Sequence, residues 1–390
     1  MKKLTGIFVL TIALIGCRKP YNPPAITAVT NYLVVEGVIN PGSDSTIIKL
    51  SRTVNLSGKT AINPVTGAVL TIESNQNTSY PLPEATKGNY VSPGLNLDNT
   101  RQYRLRIKTP DGKEYLSDFE QVKNTPPIDS IGFNLLGGNV PGIQIYANTH
   151  DPNNNTRYYR WDYQETWQFH AKYQSQLITN GSAIIPRTVA QDLFTCFAND
   201  ASTSIILGSS AKLQQDVIYQ SPITQILSTS EKIETKYSIL LRQYALTNNA
   251  FTFWTNLKKN TEQLGSIFDA QPSQINGNIH CISNPLEPVI GYVSISTVQQ
   301  KRVFITANGQ LPQTWFPTYP YNCQIDTDLF CQTQSCQNFV ALFLIPSGST
   351  EIPIVQIPPA PAPPAGYLAS SIDCIDCTIR GTKKQPAFWK

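Results

Sequence analysis

Histidine and methionine are nearly absent: the 390 residues hold three of the first and one of the second. His150, His170 and His280 stand far apart, with no His-x-x-x-His or His-Glu-x-x-His spacing. A catalytic zinc centre, which usually needs such closely spaced imidazoles, is not expected, nor is any other metal or cofactor. The Gly-x-Ser-x-Gly elbow, the phosphate-binding loop and the dinucleotide fingerprint are missing too. Charge is scarce, at 14% of residues, and half of the formal net charge of +4 comes from Lys2 and Lys3. A nucleic-acid partner, which calls for a basic surface, is therefore not expected. No apolar run reaches the roughly 20 residues that a membrane-spanning helix needs. With no catalytic set in view, the expectation is a non-enzymatic protein.

What the chain does have begins at its first residues, MKKLTGIFVLTIALIGCRKP. Lys2 and Lys3 precede a short apolar run, Ile7 to Ile15, the length of a signal-peptide core. Leu14-Ile15-Gly16-Cys17 then looks like a bacterial lipobox, with a small residue before the cysteine. Residues 1–16 are expected to be removed, and the Cys17 thiol to carry a diacylglyceryl group. Acyl chains there anchor a protein without spanning, at about 0.8 kcal/mol per buried CH₂. Arg18-Lys19 in place of an aspartate after Cys17 points to an outer membrane, on its periplasmic or its outer face. Residues 17–30, rich in proline, form the expected tether.

Beyond the tether the pattern is mainly β. Tyr32–Gly37, Ser45–Leu50, Val69–Ile72, Gly88–Val91 and Tyr103–Ile107 are short strand-like runs separated by turn residues. Tyr103, Leu105 and Ile107 alternate with Arg104, Arg106 and Lys108, the period of a half-buried strand. Residues 31–125 therefore read as an immunoglobulin-like or fibronectin-like sandwich, ending at Asn124-Thr125-Pro126-Pro127. Residues 126–390 read as a larger β-rich domain with a helical insertion near 247–264. There Thr247 can cap the helix, and Phe251, Trp254 and Leu257 recur at helical spacing. Phe339 to Leu344 reads as strand, and the proline-rich Ile352 to Ala365 as an extended C-terminal arm.

Within Arg157–Phe169, Tyr159, Trp161, Tyr163, Trp167 and Phe169 share one parity. Such a row is most often the buried face of a long strand. The competing reading makes Trp161 and Trp167 contacts for a glycan. Asp151-Pro-Asn153-Asn-Asn155 reads as a turn rather than a calcium loop, because it lacks the loop's glycine and terminal glutamate. Acid pairs such as Asp326/Asp328 serve a glycosidase only where folding brings suitable carboxylates together.

Cysteines carry more. Besides Cys17 there are Cys196, Cys281, Cys323, Cys331, Cys336, Cys374 and Cys377. An exported chain meets an oxidising space, where disulfides are the default. The number is odd, so at least one thiol stays out of any internal bridge. Cys323, Cys331 and Cys336 lie close in sequence and suggest a stapled loop. Cys374-x-x-Cys377 has no second such pair to complete a zinc site, and no preceding strand and helix start to make it thioredoxin-like. It is expected to tie the C-terminal end back to the body through disulfides.

Taken together, several stretches resemble one family. They are Tyr32–Gly37, Arg157–Trp167, Tyr237–Leu240 with Gln243-Tyr244, Phe253-Trp254, Gly265–Asp269, Gln271-Pro272, Gly277–Ile279, Gly291-Tyr292, and the terminal Cys-x-x-Cys with Pro386–Trp389. The resemblance is to Bacteroidota outer-membrane lipoproteins catalogued as domain of unknown function 4249. Members often sit beside genes for TonB-dependent receptors. The resemblance therefore implies an accessory subunit of such a β-barrel, capturing or gating its ligand. A structural or assembly factor of the outer membrane is the alternative, and a glycan-binding or glycan-cleaving protein a third. The family supplies no catalytic residues to carry over.

Overall fold

In the computed structural model, residues 31–54, 62–262, 277–330, 338–346 and 348–389 are described. The signal segment 1–16, Cys17, the tether 17–30, Cys331, Cys336 and the helical expectation beyond Glu262 lie outside the described residues.

The N-terminal unit is two facing sheets. In the first, Leu33–Ile39, Thr46–Arg52, Asn89–Ser92 and Glu84–Thr86 lie side by side; the second runs Glu114–Ser117, Gln102–Lys108, Val69–Ser74 and Ser79–Leu82. Alternation decides what each strand buries. Tyr103, Leu105 and Ile107 meet Leu33, Val35, Ile48, Leu50 and Ile72 in one core. Arg104 and Arg106 face out and share Glu73 of the adjacent strand. Burial opposes the Glu73 charge, yet the two guanidinium groups outweigh it and hold the carboxyl below its usual pKa.

Residues 31–125 do not complete this sandwich. Ile279–Cys281 adds to the edge of the second sheet beside Glu114–Ser117. Val289–Ile290 and Ser294–Ile295 add to the first, running parallel to Leu33–Ile39. A parallel partner cannot come from a tight hairpin, so these strands arrive from beyond the expected boundary. Gly291 makes the approach possible: its φ is +141°, and a Cβ there would stand 2.2 Å from the Val35 carbonyl oxygen. The segment after Lys123 is no loose linker either. Thr125 Oγ1 donates to the Thr297 carbonyl and accepts from the Ala245 N–H at 2.9 Å.

The second unit stacks a sheet of Ile128–Leu136, Gly142–Asp151 and Asp216–Leu227 on one of Thr195–Ala201, Tyr158–His170, Lys236–Ala245 and Val298–Thr306, with Ile206–Ser209 also paired to Tyr158–His170. Their shared core holds Ile143, Ile145, Tyr159, Trp161, Phe169, Tyr237, Ile239 and Leu241. The helix Asn248–Glu262 follows at once. Thr247 Oγ1 accepts the Ala250 N–H at 3.2 Å, the expected cap. Ala250 and Phe253 are its buried residues.

A small third sheet, Asp326–Leu329, Gly366–Ser371 and Glu351–Ile357, departs from expectation. The proline-rich arm is a strand at its start, with Pro353 at a bulge in the ladder to Gly366–Ser371. That strand lies at the sheet's edge, where a missing N–H is tolerated. Phe339 to Leu344 is a helical turn, not a strand, with Val340 and Leu344 as its buried residues. Those two spaced residues serve a helix as well as a strand, so composition alone misreads the segment.

Candidate functional site

A cleft with a volume of about 810 Å³ lies between the two units. Strand alternation builds both walls. Val34, Glu36, Val38, Ile47 and Lys49 are the residues of the first sheet left over after Leu33, Val35, Ile48 and Leu50 turn inward. Across from them stands the outer face of the second unit's larger sheet, where register aligns Arg160 with Tyr244 and Val298, and Asp162 with Arg242 and Gln300. Phe253, Trp254 and Leu257 of the helix close one end.

Arg160 is the unusual group there. Its guanidinium is held between two rings, 4.6 Å from the Tyr244 centroid and 4.4 Å from that of Trp254. Its Nε is buried without a hydrogen-bond partner among the described residues. The carboxylate two residues along, Asp162, is taken by Arg242. Burial pulls the Arg160 pKa below the ordinary arginine value. For Arg242, burial also opposes the charge, but Asp162 outweighs it and leaves the pKa raised. The cleft therefore holds one ion-paired guanidinium and one stacked guanidinium that feels the Asp162 charge but whose Nε has no hydrogen-bond partner among the described residues.

The expected glycan contacts are buried. Trp161 is 1% exposed, with its indole N–H donating to Gln243 Oε1 at 2.8 Å. Gln243 in turn donates to the Pro126 carbonyl and to Thr149 Oγ1, so the indole belongs to a closed buried network. Trp167 is 7% exposed and donates to Glu231 Oε1 at 3.1 Å. The aromatic row is core, and these two residues form no ligand platform, because parity sends their rings into the space between the two sheets. Trp254, on the helix, lines the cleft, which Trp161 borders with almost no exposed surface. Sequence pattern places it on an amphipathic stripe but cannot show that Arg160 completes its surroundings.

Cys196 is bonded to Cys377 and Cys323 to Cys374. The two cysteines of Cys374-x-x-Cys377 thus reach separate partners rather than each other. Cys323 joins the C-terminal segment and does not staple a loop with Cys331 or Cys336. Cys281 is a free thiol, buried in the first sandwich. The chain end follows the disulfides onto the outer face of the larger sheet: Trp389 meets Phe197 and Phe304 edge-on, and Arg302 lies 3.6 Å over the Phe388 ring.

Asp151 is the centre of a turn, its carboxylate accepting the N–H groups of Asn153, Asn155 and Thr156 at 2.9–3.0 Å. Among the described residues no group of three or more acids, histidines or cysteines is arranged for a metal ion. Folding does create one acid pair that spacing concealed, Asp328 with Glu351. Burial first, and the Asp328 charge second, push Glu351 up to about 7. Asp328 Oδ2 and Glu351 Oε2 are both buried without a hydrogen-bond partner among the described residues.

A family model described as domain of unknown function (DUF4249) matches residues 18–302. No curated protein matches the chain. Among solved structures, the chitinase ChiA74 from Bacillus thuringiensis is 11% identical, over 51% of this chain and 29% of its own, with a TM-score of 0.15. The chain thus spans under a third of that chitinase, and at that score the likeness carries no argument.

Proposed function

Because the chain belongs to the family described as domain of unknown function (DUF4249), we propose that it is a lipid-anchored accessory subunit that captures a ligand for a TonB-dependent outer-membrane barrel. The observation that carries this reading is the cleft between the two units, with its stacked Arg160, whose Nε has no hydrogen-bond partner among the described residues. A volume of about 810 Å³ falls in the range of small-molecule sites, about 300–1,000 Å³. The chemistry around it, aliphatic residues on one wall and aromatic and charged residues on the other, suits binding and release. Anchoring through Cys17 would hold such a cleft close to the mouth of a barrel, raising the local ligand concentration.

Deleting the gene and comparing outer-membrane proteomes tests this against an assembly role. Capture leaves the abundance of the partner barrel and of unrelated barrels unchanged while uptake through the partner falls. Loss of many unrelated outer-membrane proteins would overturn capture in favour of assembly.

A further inference from the structure

We infer that the cleft between the two units takes a small monocarboxylate with an apolar body, and that Arg160 is the group that reads its carboxylate. This rests on the reading of the cleft as a capture site and names the class of molecule captured.

The charge count sets the ligand's charge. Glu36, Asp44 and Asp162 line the cleft with Lys49, Arg160 and Arg242, so acids and bases balance. A polyanion such as a nucleotide would meet as much repulsion as attraction there. Inside the balance, however, Asp162 makes its ion pair with Arg242, and Arg160, although the Asp162 charge reaches it, has rings over it and no hydrogen-bond partner for its Nε among the described residues. Stacking occupies the flat faces of a guanidinium and leaves its N–H edge to bond in plane. A carboxylate is the planar anion that matches that edge with two parallel hydrogen bonds. Because Arg160 is already held between Tyr244 and Trp254, little side-chain freedom is lost when the anion arrives.

The opposite wall sets the rest of the molecule. Val34, Val38 and Ile47 present aliphatic surface, and Ile47 is 47% exposed. Leu257 and Trp254 extend this surface from the helix. A carboxylate at Arg160 would direct an attached hydrocarbon or aromatic group between these walls.

The test titrates 3-phenylpropionate, 3-phenylpropionamide and phenyl phosphate into the mature protein by ligand-detected NMR. Saturable binding of the carboxylate is expected, with a Kd of about 1 mM or tighter for a ligand this small. The amide, which keeps the body and loses the charge, should bind at least about tenfold more weakly. Arg160→Gln should lose the preference for the carboxylate. Ile47→Trp, which fills the far wall without touching Arg160, should weaken carboxylate and amide alike while leaving unfolding unchanged, so a misfolded Arg160 variant would not obscure the result. Equal binding of carboxylate and amide, tighter binding of phenyl phosphate, indifference to both substitutions, or no saturable binding would each overturn the inference. Failure here with the barrel complex still recovered from membranes would remove the ligand class and leave the accessory role standing.

Discussion

The guanidinium of Arg160 lies 4.4 Å over the ring of Trp254, joining a central strand of the second unit to the helix that follows that sheet. Tyr244 completes the sandwich from the neighbouring strand. A cation over an aromatic face contributes about 0.5–2 kcal/mol, more as water is excluded. Trp254→Ala should therefore destabilise the protein by about 1–3 kcal/mol, adding lost helix packing to the lost stacking. Urea unfolding of wild type and variant measures it, and an unchanged midpoint would show that the stacking holds nothing together.

Gly291 controls how closely the late strands dock on the first. A methyl group there would meet the Val35 carbonyl oxygen at 2.2 Å, at a φ that side chains disfavour. Gly291→Ala should cost more than about 2 kcal/mol in thermal or urea unfolding, a large effect for a single methyl. It should also raise hydrogen exchange in Leu33–Ile39, the strand that loses its parallel partner.

The disulfides predict a labelling pattern. Alkylation of the native, unreduced protein should spare Cys196, Cys323, Cys374 and Cys377, which are bonded. Cys281 is 2% exposed and should react only after denaturation. Mass mapping of the peptides checks both statements. The Cys196→Ser, Cys377→Ser pair should lose about 2–5 kcal/mol, as removal of a native bridge commonly does.

Glu351 gives the protein a pH dependence with a defined sign. Its folded pKa is raised from 4.5 to about 7 by burial and by Asp328, so the folded state holds the proton more tightly than the unfolded chain. Stability from this group is fully present below the unfolded value and is lost as pH rises through the folded one. The small C-terminal sheet should therefore loosen between about pH 4.5 and pH 7. Glu351→Gln, which keeps the neutral form, should flatten that dependence. Hydrogen exchange across Glu351–Ile357 at several pH values is the measurement.

Local pattern made much of this legible, and distance hid the rest. Tyr103, Leu105 and Ile107 announced their face by alternation, and the capped helix at 248–262 by spacing and Thr247. The role of Cys374-x-x-Cys377 as an attachment followed from the compartment implied by Cys17, although its partners Cys196 and Cys323 did not. Hidden from sequence were the strand Ile279–Cys281 and the pairing of Val289–Ile290 and Ser294–Ile295, within a stretch, residues 289 to 297, that reads as strand. Each is only two or three residues long, and each is defined by a partner strand far back in the chain. Arg160 carried no signal of its own in the sequence, and its stacking on Trp254 required the fold. Asp328 and Glu351 look like ordinary surface acids until the sheet pairs their strands with Gly366–Ser371.

The accessory role is tested most directly by purifying the tagged protein from detergent-solubilised membranes of its native host and identifying what accompanies it. The account predicts one TonB-dependent barrel in near-equal amount, and loss of that barrel from the preparation when Cys17→Ser releases the protein from the membrane. Recovery of the tagged protein alone, from membranes in which it is abundant, would contradict it.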